Sequence, residues 1–441
     1  MFSYSMVQMV RSHGPKLDRP LRNELLHLYK PFKWTPCFLH QIFEKGLKKW
    51  KKISVVIQFD EQNFSEGCHE VEDTIQQYMR CRSRKHFSIV SCMTVDVTPE
   101  AIESLLLNCQ HIKKIYLNRE VQTLLNHAVP SANADQVVRK GSTLTGQGVT
   151  IAVIDTGVYP HDDLVGRITK FVDFINERED PYDDNGHGTH CAGAVAGSGL
   201  LSEGKYVAPA PEANIIGVKV LDKIGSGSLE TVMSGVEWCI QYNENNENKI
   251  HVLSMSLGSR AEQYDEENED PMVQIVNKAW EQGMVVCAAA GNDGPDAQTI
   301  ASPGISRKII TVGALDDSDT SETKGDDDVA NFSSRGPTIY GVTKPDILAP
   351  GVNIISLRSP GSYIDKLQKG NRVEDDYFQM SGTSMATPIC AGIVALALQN
   401  DPSLTPDEVK QLLKDGASPW RNRDPNVYGA GFINGENFIP S

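Results

Sequence analysis

The sequence predicts an α/β protein in which a parallel sheet carries helices on both faces. A small α+β domain of ferredoxin-like kind precedes it. Two observations predict this. Beyond residue 147, five short apolar runs (149–154, 215–220, 252–256, 284–289 and 309–312) alternate with helical stretches, as in strands joined by crossover helices. Before residue 125, strand-like and helix-like segments alternate within one short stretch, the pattern of a single sheet covered by helices. The 36 glycines in 441 residues suit a loop-rich enzyme better than a helical bundle.

Taken in order, residues 1–52 form a basic N-terminal extension. Within it Leu39, Ile42, Phe43, Leu47 and Trp50 have helical spacing, with Lys45, Lys48, Lys49 and Lys51 off that stripe. Such a helix packs on a neighbouring domain more readily than on a membrane surface. Residues 53–125 read as strand 53–59, helix 71–79, strand 87–97, helix 101–107 and strand 112–116. Thr98, Pro99 and Glu100 supply an N-cap, a first-turn proline and an acidic first turn for the second helix. Residues 126–146 are polar and small, a linker into the large domain at 147–441. In a parallel sheet reactive groups collect just past the carboxyl ends of the strands.

Composition narrows the partners. Up to Lys140 there are 20 Lys and Arg against 14 Asp and Glu, and beyond it 22 against 43. So acidic a body argues against nucleic acid. No run approaches the roughly 18–20 apolar residues of a membrane span, and the first 20 residues lack the apolar core of a secretory signal. The nine cysteines fall at irregular positions, which fits reduced thiols in a cytoplasm. Later release into the medium stays open.

Three segments carry chemistry. An apolar strand ends on Asp155, where a buried carboxylate needs a partner. His187 and His190 sit among small residues opening a helix. Ser384 stands at the mouth of a second, apolar helix, with Pro388 expected in its first turn. A serine, a histidine and a buried aspartate make an acyl-transfer triad. The helix opening at Ser384 offers backbone N–H groups to an oxyanion. Asn292, after an apolar strand and three alanines, supplies a second donor.

The order Asp, His, Ser and the four blocks AVIDTGV, NGHGTHCAG, AAAGNDG and GTSMATPICAG resemble the subtilisin family, the subtilases. SMSLG at 254–258, FSSRGP at 332–337 and KPDILAPG at 344–351 extend the likeness. Within that family the chain resembles bacterial intracellular subtilisins with an N-terminal prosegment. The resemblance implies a serine endopeptidase with Asp155 as orienting acid, His187 as general base, Ser384 as nucleophile and Asn292 as oxyanion donor. It assigns substrate binding to Ser256, Leu257 and Gly258 on one side and Gly225, Ser226 and Gly227 on the other. The alanines before Asn292 and residues 299–304 then wall the pocket for the residue preceding the cut. Those walls are largely uncharged and favour a large apolar side chain there.

The resemblance requires no cofactor for the chemistry. Calcium is the usual ion of that family, and Asp163 matches one ligand position; the acidic runs 265–270 and 316–328 are further candidates by composition, with solvated surface loops the favoured reading. The resemblance also makes residues 53–125 a prosegment that assists folding and plugs the cleft, with Ser384 cutting the chain within 124–134.

Rival readings attach to each residue. Ser384 is also a plausible N-cap, His187 and His190 have metal-compatible spacing, Asp162 and Asp163 rival Asp155, and Cys191 and Cys390 rival Ser384. The chain departs from its relatives at Ala208, where they often carry glycine, and at Ser259, where a second glycine is frequent. At His190 the basic-site processing relatives carry arginine. Two other functions remain open: a narrow-specificity regulatory or processing protease, and an inactive subtilase serving as a binding module.

Overall fold

The computed structural model describes residues 5–17, 19–28, 40–87, 91–117, 125–318, 327–419 and 423–440. They form two compact units, Met1–Val121 and Gln122–Ser441. Leu39, Leu124 and Cys37 lie outside the described residues, as do the side chains of Ile42 and Phe43.

The first unit contains helices α1 (Ser5–Ser12), α2 (Arg19–His27) and α3 (His40–Trp50). They lead into β1 (Ile53–Phe59), α4 (Phe64–Ile75), β2 (Arg82–Phe87), β3 (Cys92–Val97), α5 (Pro99–Asn108) and β4 (Ile112–Leu117). The strands make one antiparallel sheet in the order β2-β3-β1-β4. Ile53, Val55, Ile57 and Phe59 alternate inward and share a core with Val71 and Ile75 of α4 and Ile102 and Leu105 of α5. The Thr98 hydroxyl caps α5 by accepting from Ala101 N, a contact of about 1 kcal/mol. The N-terminal extension is part of this core through Met9, Val10, Leu17, Leu21 and Leu25. Lys48 of α3 pairs with Glu103 of α5.

This unit has four strands where the sequence suggested three, and its first helix starts seven residues earlier, at Phe64. The extra strand, β2, is RSRKHF, an edge strand without apolar alternation. Its Arg82 and Arg84, with Lys52, pair instead with the buried carboxylate of Asp96 on β3.

The second unit begins with α6 (Leu125–Ser131) and the short pair β5 (Val138–Arg139) and β6 (Ser142–Thr143). Residues 126–146 are therefore not a free linker. Ala128, Val129, Ala132, Ala134 and Val137 belong to the main core of this unit, so polar composition concealed a small-residue packing face.

The central sheet uses β7 (Thr150–Asp155), β8 (Ile168–Asp173), β9 (Asn214–Lys219), β10 (Val252–Met255), β11 (Val285–Ala289), β12 (Ile310–Asp316), β13 (Asp328–Val329) and β14 (Ile347–Pro350). Its order is β13-β12-β11-β10-β7-β9-β8, with β14 also pairing β12, and only β13 runs antiparallel. Helices α7 (His187–Ala196), α8 (Leu229–Asn245) and α9 (Pro271–Glu281) connect the strands. The chain then makes a three-stranded sheet from β15 (Ile354–Leu357), β16 (Arg372–Val373) and β17 (Tyr377–Met380), with α10 (Tyr363–Leu367) between β15 and β16. Helices α11 (Thr383–Asn400), α12 (Pro406–Asp415), α13 (Pro425–Tyr428) and α14 (Gly435–Phe438) follow.

Strand order reverses at β7, which has β9 on one side and β10 on the other. A crevice opens at such a point past the carboxyl ends of the strands, and Asp155 is the last residue of β7. Helix α11 is apolar all round because it crosses the interior, with every residue from Met385 to Leu398 buried.

Candidate active site

Asp155 is fully buried, and its Oδ1 accepts from Thr156 N at 2.7 Å. The same oxygen lies 2.7 Å from His187 Nδ1. His187 opens α7 behind Gly186, whose φ of 107° is a left-handed conformation that suits glycine. A Cβ at Gly188 would stand 2.1 Å from Gly157 O. Only glycine lets α7 press this closely on the turn after β7, and that approach brings imidazole to carboxylate.

Burial by itself lowers the His187 pKa. The charge of Asp155 and its hydrogen bond outweigh burial and hold the imidazolium well above the ordinary value. His190 behaves oppositely. Its Nε2 lies 3.0 Å from Ile354 O and 2.9 Å from Phe378 O, and burial together with the neighbouring His187 pushes its pKa down to about 3. A neutral Nε2–H turned onto two carbonyls ties α7 to β15 and β17, and among the described residues His190 belongs to no cluster of three side chains that could hold a metal.

Ser384 is the second residue of α11. Its hydroxyl donates to Ser256 O at 3.1 Å, and Ser256 Oγ donates back to Ser384 O at 2.7 Å. Pro388 is the sixth residue of the helix, in the second turn rather than the first. Its missing N–H would have bonded Ser384 O. That carbonyl instead accepts from Ser256 and, at 3.5 Å, from the Cys191 thiol.

Asn292 follows β11. Its Oδ1 accepts from Thr383 N at 2.9 Å and Thr383 Oγ1 at 3.0 Å, which leaves Nδ2 as its free end. A Cβ at Gly382 would stand 3.6 Å from both Asn292 Nδ2 and Ser384 N. Glycine there keeps the space beside these two donors open.

His187, Ser384 and Asn292 line one cleft of about 670 Å³. Gly225, Ser226 and Gly227 line it from the loop before α8, and Ser256, Leu257 and Gly258 from the end of β10. Ser259 makes two 2.9 Å backbone hydrogen bonds with Ser302, which fixes one wall. A Cβ at Gly258 would meet Ser302 O at 2.9 Å. Of the walls expected beside Asn292, Ala289 and Ala301 reach the cleft, joined by Gly291. The exposed charges of Arg260 and Asp293 also border it, so the lining is less uncharged than the sequence suggested.

Asp163 lies elsewhere, in the turn after the Asp155 loop, and is fully buried. Its oxygens accept from Gly199 N at 3.0 Å, Leu201 N at 2.9 Å and Tyr377 Oη at 2.9 Å. Hydrogens directed at both oxygens do not fit a calcium ion, which needs those lone pairs. The run 265–270 is likewise engaged, with Glu267 on Arg307 and Asp270 capping α9. Residues 319–326 of the other run lie outside the described residues. Asp162 is exposed beside Asp163. Cys390 is buried against Cys287, an interaction that together with burial pushes its thiol pKa up. Burial does the same to Cys191, against the opposing pull of His187. Neither thiol is prepared as a nucleophile.

Sequence reasoning missed three supports. Asp183 is buried and accepts from Thr156 Oγ1, Asn185 N, Gly186 N and both donors of Thr189, joining the strand end to the start of α7. An acid shortly before a helix start was the available signal. Lys219, fully buried at the end of β9, binds Thr156 O, Leu221 O and Asp184 Oδ1. Tyr363 and Ile364 of α10 line the cleft although they belong to none of the motifs.

The profile of the subtilase family matches residues 146–431. The chain is 61% identical over 446 residues to serine protease AprX of Bacillus subtilis (strain 168), covering 100% of both. It is 34% identical over 353 residues to M-protease of Shouchella clausii (strain KSM-K16), covering 79% and 80%. A crystal structure of a cold adapted subtilisin-like serine proteinase superposes with a TM-score of 0.51 at 32% identity, covering 70% of this chain and 97% of that one. The chain belongs to the subtilase family and is a subtilisin-type serine endopeptidase.

Proposed function

We propose that Asp155, His187 and Ser384 form the catalytic triad and that Asn292 shares the oxyanion site with Ser384 N–H. The observation that carries this reading is the 2.7 Å contact between buried Asp155 and His187, in a cleft that Ser384 and Asn292 also line. In the resting arrangement the Ser384 proton points to Ser256 O. Attack exchanges that bond for one to His187 Nε2, which takes the proton as Oγ adds to the peptide carbonyl. Asp155 holds the imidazole by Nδ1 and stabilises the imidazolium. Asn292 Nδ2 and Ser384 N–H take the negative charge of the tetrahedral adduct, where losing one donor costs about 10²–10³ in turnover. His187 then protonates the leaving amine, and water repeats the sequence on the acyl-enzyme. No cofactor enters any step.

The substrate lies extended between the segments at 225–227 and 256–258, with backbone hydrogen bonds holding it. The narrow wall of Ala289, Gly291 and Ala301 favours a large apolar residue before the cut. Purified wild type and Ser384→Ala, each given casein and peptides varied at that residue, test the reading. Wild type alone should cleave, and faster after leucine or phenylalanine than after arginine. Activity in Ser384→Ala contradicts the triad, and preference for arginine contradicts the pocket.

The first unit is read as a prosegment and intramolecular inhibitor, supported by its α+β fold ahead of the protease unit. Because Ala128, Val129, Ala132 and Ala134 are buried, self-cleavage is assigned before Ala128 rather than throughout 124–134. Cys191, Cys239, Cys287 and Cys390 of the second unit are free thiols, which supports action in a reducing compartment.

A further inference from the structure

Among the exposed large apolar side chains, Ile224, Leu229 and Tyr363 all line the one cleft, with exposures of 55%, 47% and 40%. Tyr363 comes from the segment between β15 and β16, which reaches the cleft from the His187 side. Two residues just ahead of His187 hold that segment. Asp184 O accepts from Tyr363 N at 2.8 Å, and Asn185 O accepts from Ile364 N at 2.9 Å. The Asn185 side chain reaches the opposite way and donates to Lys223 O at 3.0 Å, beside Ile224. Asp184 and Asn185 thus join the loop carrying Ile224 to the segment carrying Tyr363, just ahead of His187 in the chain.

The segment is braced. Asp365, nearly fully buried, accepts from Gly361 N at 2.8 Å, Arg358 Nε at 2.8 Å and Arg372 Nε at 2.6 Å. Burial would raise its pKa, but these donors hold the carboxyl below the usual range, so it stays charged and clamps both arginines at neutral pH. Ser362 is packed against Gly186, where a Cβ would meet its Oγ at 2.7 Å.

We propose that Tyr363 is a specificity-determining residue, forming with Ile224 an apolar subsite for the substrate side chain that lies against the imidazole of His187. Asp365 is the positioning residue that fixes Tyr363 there. The inference rests on the protease reading above and names a substrate feature that it does not: a bulky apolar residue at one position besides the one preceding the cut. An exposed aromatic ring gains from covering such a side chain and gains nothing from glycine.

The test is a peptide library varied one position at a time on both sides of the cut, given to wild type, Tyr363→Ala, Tyr363→Glu and Asp365→Asn. Tyr363→Ala should lower kcat/KM about tenfold for bulky apolar residues at a single position and leave glycine there unchanged. Tyr363→Glu should raise relative cleavage of lysine at that same position. Asp365→Asn should weaken the apolar preference there too, which loss of stability alone would not do. An unchanged profile in Tyr363→Ala, or an equal loss at every position, overturns the assignment while wild-type cleavage leaves the protease reading standing. Wild type that cleaves no peptide contradicts the protease reading itself.

Discussion

His187 Nδ1 stands 2.7 Å from Asp155 Oδ1, at the point where the strand order of the central sheet reverses. The pairing has a kinetic consequence, because a general base must be neutral. Burial lowers the His187 pKa, and the Asp155 charge and hydrogen bond, with a contribution from Cys191, together more than reverse that effect. The free enzyme therefore keeps an imidazolium at pH 6.5 and becomes active as pH rises through the elevated pKa. The acid limb of kcat/KM should lie above pH 6.5. Asp155→Asn should move that limb down and reduce kcat by about 10⁴. A wild-type limb below 6.5 contradicts the geometry.

Ser256 and Ser384 exchange hydroxyl-to-carbonyl hydrogen bonds, and Pro388 is the reason that Ser384 O has no helical donor. Ser256→Ala leaves this carbonyl with only a weak thiol at 3.5 Å. The loss should be about 1–3 kcal/mol in chemical denaturation. Pro388→Ala restores an N–H four residues on, so the double variant should recover part of the loss. Strictly additive effects would show that the proline plays no such role.

Asp163 accepts from two backbone N–H groups and the Tyr377 hydroxyl. Asp163→Ala leaves those buried donors without an acceptor and should cost about 3 kcal/mol or more. Added calcium should not restore the melting temperature of this variant. Recovery with calcium would reinstate a metal site at this position.

The sheet was legible because strands buried on both faces read as largely apolar runs, unbroken at 284–289 and nearly so at 149–154. The edge strands β2 and β8 were not, since an edge carries polar residues and loses the signal. The site residues were legible as motifs because backbone conformation and close approach demand glycine beside them, at Gly186 and Gly188. Long-range supports were hidden. Lys219 and Tyr363 act through contacts between distant segments, and nothing in their local sequence marks the partner. Residues 126–146 misled because small polar-looking stretches also pack well, and Pro388 because helix α11 starts before the serine it follows.

The central claim is that His187, oriented by Asp155, makes Ser384 a nucleophile. A fluorophosphonate probe followed by peptide mass spectrometry measures this directly, in wild type and in His187→Ala. The account predicts one adduct, on the Ser384 peptide, forming at least about 10³-fold more slowly in His187→Ala. An adduct elsewhere, or equal labelling rates in the two proteins, would contradict it.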